Sequence, residues 1–529
     1  MWLLLGLMAA MPILAACGGG ATEPAAEEEA AEPAAEEDLS TFVFSWEGSP
    51  SSFDPVQAVD SYVDIAVINL YNALVQFPTG TTEWELELAE SVDISDDGLS
   101  YTVKLREGVL FHDGTEMTSD DVKYTIDRML DLKTGAYFGF ALVTGAEIVD
   151  DYTVVINLSE PFPPMMNFLT RLYILNADLV RENEVDGDWG ETWLVDHEAG
   201  SGPYVLTSFQ PGQEFIMDRF DDYFKGWEGD HVDRAVGRTI QEESTRRLAL
   251  ESGEIDFMYI GSADVYEDLQ GVEGIVTNSD TILNVEYVAF NTQSEYLSDV
   301  RIRKALSLAY DYAGHIEIRR GNSEIARGPL APGIPCFDES IPPSKTDLDE
   351  AKRLMAEAGY PDGGFTLSMA YPESRPEELL TFQLMQAGAA ELGITVESRV
   401  AEWEAKVEMM SDLDKAADMA NLWMFPSAPD PLEYFSLLAD SAVVGGGAYN
   451  FAWYESDEMD AVIRAGATEI DPEKRCEFYK EAQRIWLEDV PYANIVIMKT
   501  LSANRDNIEG FVTSPGHTEV VVVYDISKK

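Results

Sequence analysis

The sequence predicts a mixed α/β protein of more than one lobe, on three observations. Stretches of period-two apolar alternation are interleaved with stretches of helical spacing along the chain. One run, FTLSMAY, ELLTFQLMQAGAAELG and ITVESRV (365–400), reads as strand, helix, strand, which is a βαβ unit. The length of 529 residues exceeds one ordinary domain and suggests roughly two to four. With 46% hydrophobic residues there is enough apolar surface to build their cores.

The chain opens MWLLLGLMAAMPILAACGGG. An apolar run over 2–14, followed by small residues, reads as a signal peptide over 1–17 and is short for a membrane span. Cys17 directly after Leu14-Ala15-Ala16 resembles the bacterial lipobox, whose thiol is acylated; a plain secretory signal is the competing reading. No Lys or Arg precedes the apolar run, so the amino terminus is the only positive charge there. Residues 18–38 are built mainly of Gly, Ala, Glu and Pro. They cannot bury apolar surface, and the stretch reads as a disordered acidic tether. Stable anchoring of such a tether takes more than one lipid chain.

The folded part begins with TFVFSWEGSPSSFDP (41–55), a strand and then a Ser/Pro-rich loop. VDIAVINLYNALVQF (63–77) has apolar residues at helical spacing. In YTVKLREGVLFHDG, Tyr101, Val103 and Leu105 alternate with polar residues as a strand. Glu107-Gly108 turns the chain, 109–112 returns, and Asp113-Gly114 is a second turn. Thr118 with Asp121 is a capping box for a helix whose apolar face is Val122, Ile126, Met129 and Leu130. Further strands read at DYTVVINL, GPYVLTSFQ and QEFIMDRF. ESTRRLALESGEIDFMYI reads as helix, Gly turn, strand. DVRIRKALSLAYDY and DLDEAKRLMAEAGYPDGG are amphipathic helices, the second capped by Gly359. PEKRCEFYKEAQRIWLEDVP is a long helix stopped by Pro491.

Composition excludes some partners. The formal net charge is −62, from 97 acidic against 35 basic residues, which opposes nucleic acid and anionic lipid surfaces. No second apolar run of about 18 residues follows the leader, so the mature body reads as soluble. Beyond Cys17 there are Cys336 and Cys476; a bridge between them and two unpaired thiols both stay open. His112, His197, His231, His315 and His517 show no metal-ligand spacing. No Gly-x-Ser-x-Gly and no catalytic cysteine context occur, and 97 acidic residues make any glycosidase-like carboxylate pair uninformative. The reading is a non-enzyme without cofactor or metal. The stretch LREGVLFHDGTEMTSDDV (105–122), with His112 among carboxylates, suits either a metal or acid–base site or a hairpin followed by a helix start. The second accounts for every residue in it.

At these residues the chain resembles a known family. SDDGLSYTVKLREGVLFHDGTEMTSDDVKYTIDRM (95–129) is the most specific piece. GSGPYVLTSFQPG, LESGEIDFM, FNTQSEYLSDVRIRKALSLAYD, DLDEAKRLMAEAGYPDGG and PEKRCEFYKEAQRIWLEDVPYANI follow in order. Together they are similar to the extracellular solute-binding proteins of ABC importers, family 5, the oligopeptide/dipeptide/nickel class. The resemblance implies a two-lobe Venus-flytrap fold, the periplasmic-binding-protein fold, with an inserted subdomain. The first lobe would comprise 39–80, 200–288 and 495–529, the insertion 81–199, and the second lobe 289–494. It also implies a monomer, exported to the cell surface or periplasm and lipid-anchored through Cys17, that captures a peptide-like solute in the interlobe cleft, closes by hinge motion and docks on membrane permease subunits. An oligosaccharide ligand on the same scaffold is the alternative; a sensor receptor or an exported enzyme ranks lower.

The same resemblance implies site residues. In peptide-binding members a stretch like NLWMFPSAPDPLEYF lines the cleft, which marks Trp423, Phe425, Ser427 and Asp430. An aspartate expected before the Asp-Pro step to pair with the peptide's ammonium falls here near Ser427 or Ala428, a departure that leaves Asp430, or another of the many carboxylates, as substitute. An unpaired ammonium in a closed cleft costs several kcal/mol. Trp403, Trp46 and Tyr259 match further cleft positions, and Asn494 and Met498 lie at the hinge return. Aromatic faces suit peptide side chains and sugar rings alike. Nickel is disfavoured, because no histidine falls in these stretches.

Overall fold

The computed structural model describes residues 39–529 apart from 59–60, 374, 446–448 and 517–518. The expectations for the leader, Cys17, the tether and His517 lie outside the described residues. Residues 39–529 contain a mixed sheet of 11 strands. From one edge it runs Thr395–Val400, Thr366–Tyr371, Met419–Met424, Ile275–Phe290, Tyr492–Arg505, Phe257–Ile260, Thr41–Trp46, Arg234–Thr239, Glu214–Arg219 and Tyr204–Gln210; Ser323–Ile325 also pairs with Tyr492–Arg505. Thr366–Tyr371 pairs in parallel with Thr395–Val400 across the helix Pro376–Ala390, as the βαβ reading requires. Ile275–Phe290 and Tyr492–Arg505 are long antiparallel strands. One stretch of this ladder neighbours Phe257–Ile260 and the other Met419–Met424.

Apolar side chains gather into several cores. Phe42, Phe44, Val63, Leu70, Tyr204, Phe257 and Val523 belong to one. Val285, Tyr287, Leu422, Phe435, Trp486 and Tyr492 pack on one face of the opposite end of the sheet, and Val288, Phe290, Leu306, Met369 and Met385 on the other. A separate antiparallel sheet, Ala89–Ile94, Ser100–Leu105, Thr153–Leu158 and Val143–Asp150, has its own core around Tyr101, Val103, Val122 and Ile156. Leu175, Ala177, Val180, Leu194 and Ala199 join the first core, while Leu175 N and Ala177 N bond Thr125 and Asp121 of the helix Ser119–Leu132. Cys336 and Cys476 form a disulfide, which settles the alternative left open by the sequence.

Two local expectations are corrected. The helical pattern over 63–77 yields a helix only over Ser61–Leu70, and Val75–Gln76 is already a strand. The helix stops where the Leu70 carbonyl accepts the Gly202 N–H at 2.9 Å. A Cβ on Gly200 or Gly202 would collide with the backbone of Asn69 and Leu70, which is why GSGPYV carries glycines there. Second, 109–112 does not return along Ser100–Leu105, whose partners are Ala89–Ile94 and Thr153–Leu158. The chain instead closes its own small hairpin, with Met117 N bonded to Val109 O and Phe111 N to Thr115 O around Asp113-Gly114.

Every polar side chain of that hairpin has structural work. Asp113 accepts from the Thr115 N–H and hydroxyl and from Asn176 Nδ2. Glu116 accepts from Gly108 N and the Tyr152 hydroxyl. Thr118 and Asp121 form the capping box of the helix Ser119–Leu132. The His112 side chain is buried, with Nδ1 2.7 Å from Glu198 Oε1 and Nε2 3.0 Å from the Gly202 carbonyl. It therefore ties the hairpin to the GSGP segment. Burial pulls the imidazolium down, but the Glu198 carboxylate and the Gly202 carbonyl outweigh it and hold His112 above its ordinary value.

A raised folded-state value stabilises the protein fully below the unfolded value of about 6.5 and ceases to do so as pH rises through the folded value. His112→Ala should therefore lower stability by about 3 kcal/mol or more near pH ~5.5, where Glu198 loses a charged partner, and by less near pH ~9. Urea denaturation at both pH values measures this. Equal losses would contradict the charged pair.

Candidate functional site

The strand Met419–Met424 delivers Trp423, and the chain then leaves the sheet over 425–430 before the helix Pro431–Leu438. Trp423 and Phe425 lie with ring centroids 6.1 Å apart, and Phe425 is exposed at 47%. This loop is held by Arg171. That guanidinium donates from Nε to the Ser427 carbonyl at 2.8 Å and from Nη1 to the Ala58 carbonyl and to Asp64. Asn167 Nδ2 reaches the Pro429 carbonyl at 3.3 Å, and Ala428 packs into the core of the four-stranded sheet.

Asp430, expected as a ligand carboxylate, has partners within the chain. It is buried, its Oδ1 caps the following helix at Leu432 N, and both oxygens take a two-pronged ion pair from Arg475 at 2.8 and 2.7 Å. The Asp-Pro step is a helix start, with the aspartate as N-cap and proline at the first helical position. The carboxylate beside Ser427 is Glu433, whose Oε2 accepts the Ser427 N–H at 2.6 Å. Burial pushes the Glu433 carboxyl up to about 8.

The other predicted residues fall into separate places. Trp46 and Tyr259 meet at 5.8 Å inside the first core, both buried, and the Tyr259 hydroxyl donates to the Val520 carbonyl. Asn494 is buried and accepts the Trp486 indole N–H at 3.0 Å. Met498 is buried on the strand Tyr492–Arg505 opposite Ser323. Trp403 starts the helix Trp403–Met410 and packs against Tyr449 and Phe451. The structure thus joins Trp423 with Phe425 and Trp46 with Tyr259, as two groups.

Around Trp423 stands a polar set that the sequence reading passed over. Arg375, half exposed, lies over the Trp423 ring at 5.3 Å. Lys406 lies over the Trp403 ring at 5.1 Å. Glu286, fully buried, is the ladder partner of Trp423 and accepts from the Thr381 hydroxyl and from Asn421 Nδ2. Burial pushes Glu286 up; the Thr381 hydroxyl, Arg319, and the Asn421 and Trp423 N–H groups oppose that. Arg375 with Glu378 and Trp403 with Lys406 are each three residues apart, a spacing visible in the sequence. What this edge offers chemically is a half-exposed guanidinium over an indole beside an exposed phenyl ring, suited to a carboxylate joined to apolar groups.

Among the described residues no cluster of His, Cys, Asp and Glu has metal-binding geometry. None of their helices is long and apolar enough to cross a membrane. A void of about 820 Å³ lies apart from Trp423, lined by Tyr71, Asn72, Glu87, Tyr173, Tyr223 and Tyr524. Its buried carboxylate, Glu87, is already bonded to Asn72, Ala73 N and Lys225.

Heme-binding protein A of Haemophilus influenzae is 29% identical over 539 residues, covering 97% of this chain and 96% of its own. The ABC transporter-associated periplasmic binding protein DppA of Helicobacter pylori, solved with the peptide STSA, is 27% identical with a TM-score of 0.76, over 92% of this chain and 98% of that one. The structure of HbpA2 from Haemophilus parasuis is 25% identical with a TM-score of 0.83, over 92% and 100%. The architecture is therefore the two-lobe periplasmic-binding-protein fold. Residues 83–446 match the family described as bacterial extracellular solute-binding proteins, family 5 Middle, and the chain belongs to that family.

Proposed function

We propose that this chain is the lipid-anchored substrate-binding component of an ABC importer, and that it captures a short peptide between its lobes and hands it to membrane permease subunits. The observation that carries the peptide reading is the Trp423, Phe425 and Arg375 edge. A half-exposed guanidinium held over an indole suits the carboxylate end of a peptide, and the neighbouring rings suit its side chains. The relative solved with the peptide STSA supports the same reading.

The lobes are proposed as 39–80, 200–288 and 495–529 against 289–494, with 81–199 inserted. The paired strands Ile275–Phe290 and Tyr492–Arg505 would then cross the hinge. Closure would bring the 425–430 loop and the first lobe together, in the manner of the Arg171 contacts. Export and an anchor at Cys17 rest on the leader sequence, and the Cys336–Cys476 bridge suits an oxidising compartment. The protein is proposed to act as a monomer without cofactor and without turnover. In this reading Trp403 belongs to the same edge, Trp46, Tyr259, Asn494 and Met498 stand behind the cleft wall, and Ser427 is held by Arg171 and Glu433.

Thermal shift against peptides, oligosaccharides, haem and nickel tests the ligand class. A bound ligand raises stability by about 2.7 kcal/mol at 100 times its dissociation constant. Stabilisation by peptides is expected; stabilisation by sugars alone would replace the peptide reading with the oligosaccharide one. Trp423→Ala should weaken peptide binding roughly thirtyfold, the effect of about 2 kcal/mol, in a protein that still folds. Unchanged affinity by titration calorimetry would remove Trp423 from the site. Asp430→Ala should instead cost about 3–5 kcal/mol of stability by stranding Arg475, read from urea denaturation, and a variant as stable as wild type would contradict the structural role.

A further inference from the structure

Trp403 and Trp423 lie on different elements, yet the cations on their faces meet at one group. Glu378 Oε1 is 3.3 Å from Arg375 Nη1, and its Oε2 is 2.8 Å from Lys406 Nζ. Glu378 is 1% exposed and Lys406 fully buried, whereas Arg375 reaches solvent at 42%. Lys406 also donates to the Asn421 carbonyl at 3.1 Å, two residues before Trp423 on the same strand. The carboxylate is placed by the first turn of the helix Pro376–Ala390, where the helix dipole favours an acid. One turn on, Thr381 of that helix donates to Glu286, the ladder partner of Trp423.

We propose that Glu378 is a positioning residue that sets both tryptophan faces of the binding edge, holding Arg375 over Trp423 and Lys406 over Trp403. Its oxygens are divided between the two cations, so neither ring is set independently. With all three ionised, Arg375, Glu378 and Lys406 sum to one positive charge, and only Arg375 presents it to solvent. Removing the charge of Glu378 frees Arg375 from the Trp423 face and strands Lys406 in a buried place. Burial pulls Lys406 down and pushes Glu378 up, and each is opposed by the other's charge. The effect on solute binding rests on the peptide reading above; the coupling of the two rings does not.

The experiment uses the full chain with its ten tryptophans replaced by 5-fluorotryptophan. Fluorine resonances of Trp403 and Trp423 are assigned with Trp403→Phe and Trp423→Phe. In ligand-free Glu378→Gln both resonances are expected to move while those of Trp46 and Trp486 stay. Movement of one alone, or of neither, would overturn the proposal. With the peptide STSA as probe, Glu378→Gln should lose at least tenfold in affinity. Adding Trp423→Ala to it should cost much less than that substitution costs alone, because coupled sites are not additive. Additive losses, or wild-type affinity with both resonances moved, would overturn the role in binding. If the wild-type protein does not bind STSA, that counts against the peptide reading, and the resonances alone decide the coupling. Should Glu378→Gln fail to fold, Glu378→Gln with Lys406→Met leaves no stranded ammonium, and the Trp423 resonance must still move through Arg375.

Discussion

The ladder between Ile275–Phe290 and Tyr492–Arg505 is the constraint on which the rest of the structure depends. Its pairs run from Ile275 with Arg505 to Ala289 with Tyr492, so the two strands belong to both ends of the large sheet. At one end the neighbour is Phe257–Ile260, whose Phe257 and Tyr259 pack in the first core. At the other end it is Met419–Met424, which carries Trp423. The register breaks between Thr281 and Val285, where a ladder bends most readily. The proposed hinge motion rests on this irregular stretch of the ladder between two cores.

The candidate site hangs on that ladder through charge as well as backbone. Glu286 sits on one of its strands and faces Thr381 and Asn421. Glu378 and Lys406 form a buried ion pair nearby, and Asp430 and Arg475 form another at the start of the next helix. Such pairs add little net stability compared with apolar packing, but losing one partner leaves an uncompensated buried charge. They therefore hold side chains in one arrangement. The overall charge of −62 says nothing about this edge, which is governed by a few buried groups.

Much of the fold was legible because local chemistry decided it. The strand Ser100–Leu105 follows from alternation, the Ser119–Leu132 helix start from Thr118 and Asp121, and the end of Leu348–Ala358 from Gly359 at positive φ. Where the sequence reading erred, a distant partner won. The helix after Ser61 stops because Gly202 takes the Leu70 carbonyl, and Gly202 is 132 residues away by its number. Residues 109–112 do not pair with Ser100–Leu105, because Ala89–Ile94 and Thr153–Leu158 occupy both its edges. The site was less legible for the same reason. Asp430 reads as an available carboxylate until Arg475 is beside it. Arg375, Glu378 and Lys406 read as ordinary helix-surface charges until the fold brings Arg375 over Trp423 and Lys406 over Trp403, with Glu378 between them.

In the proposed arrangement a peptide is held between two lobes that close on it about the long ladder. Small-angle X-ray scattering of the protein, alone and saturated with a peptide that stabilises it, tests this most directly. A smaller radius of gyration with peptide bound is expected. An unchanged radius at demonstrated saturation would contradict closure and place the peptide elsewhere than between the lobes.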